Sequence, residues 1–439
     1  MKRYIPILIC TALMGNLLHL NAQTIPTPAA NQSESILIMN AKAHIGNGKV
    51  IDNAVIGFEN GKIILVADAT LVRLDGSKYK KTINAAGKHV YPGLIAGNSP
   101  LGLVEIQSVR ATADLSEIGS MNPSVRSIVA YNTDSQVPPT VRSNGILLAQ
   151  IVPQGGRISG QSSIVELDAW NWEDAAYKTD EGMHLRWPGI YSVSFDFAAG
   201  GVSVKKNDKY NTELNDLDAF FKEAQAYTQK ANPLPKNLKF EAMREVFSGK
   251  RTLFVHANLV KEMTEGVLFA KKYGCKTVIV GGKDSWMITD VLKANNVSVI
   301  LSETQDLPTR NDDDIDQPFK TPAMLKAAGI SFCMSVNGGW QTRNLPLMAG
   351  QAVGFGLAYE DAIAAITSDA ATILGINATV GTLETGKDAT LIITEGDVLD
   401  MRTSQVMHAF IRGKAIDLDN KHKQLTKRFQ TKYDRQGKK

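Results

Sequence analysis

The chain has 439 residues, of which 44% are hydrophobic and 21% are charged, and this composition excludes an intrinsically disordered protein. The formal net charge is only +4, so charge gives no reason to expect a nucleic-acid partner or an anionic membrane surface. Three cysteines in so long a chain exclude a disulfide scaffold and a cysteine-rich metal cluster.

Residues 1–22 have the pattern of an export signal. Lys2 and Arg3 supply positive charge, an apolar stretch follows from Tyr4 to Leu18, and Ala22 is a small residue directly before a cleavage point. This apolar stretch is shorter than the ~20 residues that a membrane-spanning helix needs. We therefore expect an exported protein, periplasmic or secreted, with no membrane span.

Both ends of the remaining chain predict β-strands. Residues 35–90 contain short apolar runs separated by turn residues, and Asn60-Gly61 suits the tight turn of a β-hairpin. Residues 380–418 show a similar pattern. The sequence predicts that the two segments form one small β-sandwich. The basic residues 419–439 indicate a frayed terminal tail.

The middle of the chain, residues 91–379, alternates between strand-like and helix-like segments. After Arg251, apolar runs are separated by helical segments of about 10 to 15 residues, which indicates βαβ units and a parallel sheet. The length suits a closed (β/α)8 TIM-like barrel of about 250 residues. Residues 170–250 show few clear strands, and we interpret them as an insertion. A doubly wound sheet is the alternative, although its Gly-rich phosphate turn is missing.

Several segments carry a family resemblance, in the order Gly87–Ile95, Val255–Ala257, Arg343–Leu347 and Gly381–Ala389. Together they resemble the amidohydrolase superfamily, in its imidazolonepropionase-like and prolidase-like branch. The resemblance implies a (β/α)8 barrel with a β-sandwich built from both termini. It also implies hydrolysis of C–N bonds other than peptide bonds by a water molecule bound to one or two divalent metal ions, such as zinc.

The resemblance also shows that most metal ligands of the family are replaced. The histidines of the first-strand motif Asp-x-His-x-His fall at Asn98 and Pro100, and the sixth-strand histidine falls at Gly281. The last-strand aspartate falls near Asn337, and only His256, at the end of the fifth strand, is retained. Catalytic zinc needs about three protein ligands, so the residues themselves predict no cofactor, and a divalent metal ion such as zinc is implied by the resemblance alone. Amide oxygens beside His256 would bind a hard cation weakly.

The barrel mouth is the expected place for a small-molecule pocket. The pocket candidates are His256, Asn98, Asn337, Arg157 in a Gly-rich segment, and Trp340 after the last strand. Ordinary packing is an equal alternative for His256 and Trp340. Acidic residues of the loop after the first strand could act as acid and base without metal, or could pair with nearby arginines and order the loop. These residues are Glu105, Asp114 and Glu117, with Arg110, Arg126 and Arg142 nearby.

Three hypotheses for function follow. The first is an exported amidohydrolase-family protein whose hydrolysis is weak or uses a non-standard site. The second is a catalytically silent barrel that binds a small ligand, or that assembles as a homo-oligomer or as a partner subunit of an active homologue. The third is an unrelated enzyme on the same barrel, since fold does not fix function.

Overall fold

The computed structural model describes residues 26–196, 201–308 and 310–437. The predicted export signal, residues 1–22, lies outside the described residues. Within the described ranges, no helix has both the length and the hydropathy that crossing a membrane would require.

The described residues form β-strands that are numbered here in chain order. They are β1 (Ile36–His44), β2 (Val50–Glu59), β3 (Lys62–Asp68), β4 (Lys81–Asn84), β5 (His89–Pro92), β6 (Leu94–Ser99), β7 (Ile146–Ile151), β8 (Ile158–Glu166), β9 (Ala176–Arg186), β10 (Tyr191–Asp196), β11 (Gly201–Lys206), β12 (Thr252–Ala257), β13 (Thr277–Gly281), β14 (Ser298–Leu301), β15 (Phe332–Met334), β16 (Leu391–Thr394), β17 (Val406–Ile411) and β18 (Lys414–Ala415).

The α-helices lie between and after these strands. They are α1 (Val137–Arg142), α2 (Trp172–Ala175), α3 (Tyr210–Thr228), α4 (Leu238–Phe247), α5 (Val260–Lys272), α6 (Thr289–Ala294), α7 (Gln317–Ala327), α8 (Leu345–Gly354), α9 (Tyr359–Ala365), α10 (Ser368–Ile373) and α11 (Lys421–Gln436).

One sheet contains strands from both ends of the chain, in the order β18-β17-β16-β5-β1-β2-β3, with β4 also paired to β1. The two ends meet where β5 pairs antiparallel with β16, with Tyr91 opposite Ile392. Asn60 and Gly61 join β2 to β3 with φ of 50° and 78°, which confirms the predicted tight hairpin turn. Both termini therefore contribute to a single sheet, and its form as a two-layered sandwich stays a prediction.

The other large sheet is a nearly closed barrel of eight strands, in the order β15-β14-β13-β12-β9-β8-β7-β6. A parallel bridge between Gly97 and Ser335 brings the two outer strands, β6 and β15, together. The strands from β12 to β15 pair in parallel, and α5, α6 and α7 connect them in turn. The prediction of a mixed α/β barrel is confirmed.

The barrel departs from the expected repeat of eight parallel βα units at β8. This strand pairs antiparallel with both β7 and β9. Only residues 152–157 connect β7 to β8, whereas a crossover between parallel strands needs a dozen residues or more. Gly155 and Gly156 have φ of 79° and 62°, so the chain reverses there in a way that glycine favours.

Residues 170–250, interpreted from the sequence as an insertion, contain a barrel strand. β9 lies between β8 and β12 in the barrel sheet, and α3 and α4 follow it. Only the hairpin of β10 and β11 forms a separate sheet within this stretch. The insertion interpretation is wrong for β9, because buried polar side chains such as Glu181 and His184 interrupt the apolar pattern by which a barrel strand is recognised.

The basic terminal segment also differs from its prediction. Residues 421–436 form helix α11 rather than a frayed tail, and Asn420 caps it by accepting a hydrogen bond from the backbone N–H of Lys423 (3.0 Å). No residue of α11 is buried, and Phe429 and Tyr433 are exposed. The helix therefore gains little from packing on the barrel.

A buried ion pair holds the end of β8 beside α1. Arg142 and Asp168 are 3% and 2% exposed, and the Arg142 guanidinium donates to the Asp168 carboxylate and to the carbonyl of Leu167 (3.0 Å). The other Asp168 oxygen accepts a hydrogen bond from the backbone N–H of Ala29 (2.8 Å). This pair fixes the chain where the antiparallel strand leaves the barrel.

We expect Asp168→Asn to lower the free energy of unfolding by about 3 kcal/mol, because Arg142 would keep a buried charge without its counter-ion. Urea denaturation measures the change. The double variant Arg142→Met/Asp168→Leu should recover much of the loss, because both charges are then absent. Equal losses in the single and double variants would contradict this account.

Candidate functional site

A cavity of about 590 Å³ opens at the carboxyl ends of the barrel strands. Asn98 near the end of β6, His256 near the end of β12, and Asn337 just after β15 all line it, together with Trp340. The structure thus brings together four of the predicted pocket residues, and Pro100 also lines the cavity. Its volume and its place in the barrel mouth are typical of a small-molecule site.

The fifth pocket candidate, Arg157, lies outside this lining. Its Nη1 donates to the carbonyl of Arg186 (2.9 Å), and its Nη2 pairs with the Glu213 carboxylate (2.9 Å). The backbone N–H of Arg186 in turn donates to the carbonyl of Arg157 (2.8 Å). Arg157 therefore holds the end of β9 in place instead of facing a ligand.

Gly281 has a structural reason to lack a side chain. Its φ is 104°, and a Cβ atom there would lie 2.4 Å from Asn258 Oδ1. A histidine at this position would require the neighbouring loop to move. Gly281 borders a separate, smaller pocket together with Lys283 and Asp284.

Of the acidic mouth-loop candidates, only Glu105 lines the cavity. Asp114 and Glu117 lie outside its lining. Two of the nearby arginines pair elsewhere, Arg126 with Asp180 (2.8 Å) and Arg142 with Asp168. The loop is therefore ordered partly by ion pairs to β9 and to the end of β8, and no pair of carboxylates meets in the cavity lining.

His256 ends a chain of hydrogen bonds that runs through the barrel interior. Its Nε2 lies 2.8 Å from Nδ1 of His184, and Nε2 of His184 lies 2.8 Å from Oγ of Ser162. The Ser162 hydroxyl donates to the Glu181 carboxylate (2.6 Å), which also accepts a hydrogen bond from Gln150 (3.0 Å). We call Glu181, Ser162, His184 and His256 the polar chain. The sequence analysis missed its first three members.

A bulge in β9 places Glu181 among these groups. The pairing register between β8 and β9 shifts between Ser162 and Ile164, and Asp180 has a φ of 51°. Extra residues in one strand rotate the following side chain, so Glu181 lies beside Gln150 and Ser162 in the barrel. The side-chain Oε1 of Gln150 accepts a hydrogen bond from the backbone N–H of Asn98 (3.0 Å) and so links the polar chain to the first barrel strand.

The hydrogen bonds assign the ring protons of both histidines. Ser162 donates its only proton to Glu181, so it accepts a hydrogen bond from Nε2–H of His184. Nδ1 of a neutral His184 is then an acceptor, and it receives the Nε2–H of His256. This leaves Nδ1 of His256 as an acceptor nitrogen that bonds to no described residue.

Burial keeps both histidines neutral. It lowers the pKa of His256 to about 3, with a smaller contribution from the nearby Arg186 guanidinium, and it lowers the pKa of His184 well below the ordinary value. Burial also raises the pKa of Glu181, while the hydrogen bonds from Ser162 and Gln150 act in the opposite direction.

Arg186 is the cavity residue that sequence analysis missed. It is the last residue of β9 and pairs in register with His256 on β12. Its Nε is buried without a hydrogen-bond partner, and no described carboxylate oxygen lies within 4.0 Å of its guanidinium. Burial lowers the pKa of Arg186. The alternation of polar His184 and Arg186 with apolar Met183 and Leu185 is the sequence signal that marks this strand end.

Asn337 has a fixed amide orientation. Its backbone N–H and its Nδ2 donate to the two oxygens of Glu303, at 3.1 and 3.2 Å. The Asn337 side-chain oxygen therefore remains an acceptor at the cavity. Among the residues on this cavity wall, Asn98, Gln154 and Gln341 are further neutral amides.

These residues do not fit a divalent metal ion. Of the positions where the resemblance places metal ligands, His256 alone is a ligand residue, and with Nε2 bonded to His184 it offers only Nδ1; the other positions hold amide, proline or glycine. In the described part of the chain, no group of three or more His, Cys, Asp or Glu side chains is arranged to hold a metal. A zinc site needs about three such ligands.

The sequence and the fold were compared with known proteins. The profile of the Amidohydrolase family matches residues 245–423, and no curated protein matches the chain. An amidohydrolase from Thermotoga maritima MSB8 superposes with a TM-score of 0.71 at 20% identity, over 87% of this chain and 99% of that one.

Two further solved structures have the same fold at lower similarity. A Xaa-Pro dipeptidase with bound methionine in its active site has a TM-score of 0.53 at 15% identity, over 87% of this chain and 100% of that one. An adenosine deaminase from Xanthomonas campestris with bound zinc has a TM-score of 0.52 at 13% identity, over 93% and 99%. The profile match is limited to residues 245–423, and the similarity to these solved structures, at 20% identity or below, shows a shared fold.

Proposed function

We propose that this protein is an exported amidohydrolase-family barrel that binds a small molecule in its mouth without a divalent metal. The proposal depends on the side chains that stand at the family's ligand positions. Asn98, Pro100, Gly281 and Asn337 replace the ligands, and Nε2 of His256 is engaged by His184.

The charge of the mouth supports this proposal. A catalytic metal site gathers carboxylates and imidazoles, which offset the charge of the cation. Here the Arg186 guanidinium lies opposite His256 in the strand register and has no described carboxylate partner. A divalent cation beside His256 would be repelled by Arg186, and the neutral amides of Asn98 and Asn337 would not offset that repulsion.

The properties of His256 favour binding over hydrolysis. A general base works best when its pKa lies near the working pH, and the pKa of His256 is lowered to about 3. Nδ1 of His256 is therefore a weak base but a suitable hydrogen-bond acceptor. Because its tautomer is fixed by His184, the ring presents the same acceptor to every ligand.

The pattern of residues 1–22 supports export, which is one part of the proposal. Expression of the full chain with its leader should yield a protein whose N-terminal sequence begins at Gln23, because Ala22 precedes the expected cleavage point. N-terminal sequencing of the periplasmic or secreted fraction tests this. A protein that keeps Met1 and stays in the cytoplasmic fraction would contradict export.

Elemental analysis tests the absence of a metal site. We expect the protein, purified without chelator, to contain well below one divalent metal ion per chain, because its ligand positions lack coordinating side chains. His256→Ala is the matched variant and should leave the metal content unchanged. Near-stoichiometric zinc that disappears in His256→Ala would overturn the proposed function.

The low pKa of His256 predicts a loss of stability in acid. Unfolded histidine binds a proton near pH 6.5, whereas folded His256 does so only near pH 3. Between these values the unfolded state holds more protons, so the free energy of unfolding falls as pH is lowered through this window. From pH 7 to pH 5 this single residue should cost about 2 kcal/mol.

Urea denaturation at the two pH values measures the effect, with His256→Gln as the comparison. The variant should lose about 2 kcal/mol less than the wild type over this interval, because glutamine does not titrate. Parallel losses in both proteins would show that His256 does not stay neutral in the folded state.

A further inference from the structure

We propose that the barrel mouth is a carboxylate-binding site, in which the Arg186 guanidinium holds the carboxylate of a small, singly charged organic molecule. The inference rests on the proposed function, because a metal-loaded mouth would present a different charge to its ligand.

Arg186 is half-buried, and unlike the buried Arg142 and Arg251 it has no counter-ion among the described residues. Arg142 pairs with Asp168, and Arg251 pairs with Glu245 (2.7 Å). Arg186 forms no such pair with any described residue, and its Nε is buried without a partner. A half-buried guanidinium without a counter-ion is poorly screened by water, so it attracts a ligand that carries a negative charge.

The end of β9 holds Arg186 in place before any ligand arrives. Its backbone carbonyl accepts a hydrogen bond from Arg157 Nη1, and its backbone N–H donates to the Arg157 carbonyl. The next residue, Trp187, donates its backbone N–H to the carbonyl of His256 (3.1 Å). Little backbone ordering is then needed on binding, which favours affinity.

The lining of the cavity indicates a single carboxylate rather than a doubly charged phosphate. Arg186 is the one Lys or Arg on this lining, and Glu105 would repel a second negative charge. The remaining polar groups are neutral and suit an amide or hydroxyl of the ligand, while Trp340 and Val137 offer apolar contact. A volume of about 590 Å³ accommodates a molecule the size of an acylated amino acid.

Isothermal titration calorimetry with a matched pair of probes tests the inference. N-acetylphenylalanine carries the carboxylate, and N-acetylphenylalanine amide has nearly the same shape without the charge. We expect the acid to bind the wild-type protein at least about 10-fold more tightly than the amide, because only the acid neutralises Arg186. Inorganic phosphate is the third probe and should bind more weakly than the acid.

Arg186→Gln should abolish the preference for the acid over the amide. Arg402→Gln removes the same charge from an exposed position paired with Asp400, and it should leave the preference intact. The Arg186 variant should melt at about the temperature of the wild type, because the substitution breaks no ion pair with a described residue. Lost preference in a stable protein thus separates recognition from misfolding.

The outcomes distinguish failure of the inference from failure of the proposed function. Equal binding of the acid and the amide, binding of neither, or a preference that survives in Arg186→Gln would each overturn the carboxylate site. Tighter binding of phosphate than of the acid would overturn the choice of ligand class. Binding that requires stoichiometric zinc would instead overturn the metal-free function.

Discussion

The barrel interior depends on keeping its buried polar groups hydrogen-bonded. Gln150, Ser162, Glu181 and His184 lie inside the sheet, where an unpartnered polar group would cost stability. Each bonds to another member or to Asn98, so the network is satisfied by the protein's own groups from β6 to β12. The bulge in β9 and the reversed direction of β8 are the backbone features that bring these side chains together.

This self-contained network supports the metal-free mouth that we propose, because the described side chains satisfy one another in the barrel interior. A metal ion at the mouth would draw its ligands together and offset their charges. Here His256 is oriented by His184 instead, and the position next to it in the sheet is occupied by the Arg186 cation. This arrangement supports the anionic ligand that we propose for the mouth.

The sequence predicted the parts of the structure that follow from apolar pattern and turn chemistry. The Asn60-Gly61 hairpin and the parallel strands after Arg251 depend on local signals. The mouth positions of Asn98 and His256 followed instead from the family resemblance. β9 was missed because its inward-facing residues are polar, which is also why the polar chain was missed. Helix α11 was missed for a different reason, because its sequence lacks an apolar face that would predict a helix packed on the barrel.

The role of Arg157 shows why a glycine-rich loop beside a predicted pocket can mislead. Its guanidinium was a pocket candidate, with a role in the barrel wall as the alternative, and it bonds to the backbone of Arg186 and to Glu213. Its neighbour across that backbone contact, Arg186, has no counter-ion among the described residues. The sequence can place an arginine near a barrel mouth. Its hydrogen-bond and ion-pair partners are needed to distinguish an arginine that holds the barrel wall from one that could bind a ligand. The absence of a counter-ion for Arg186 among the described residues joins the metal-free mouth that we propose to the carboxylate ligand that we propose for it.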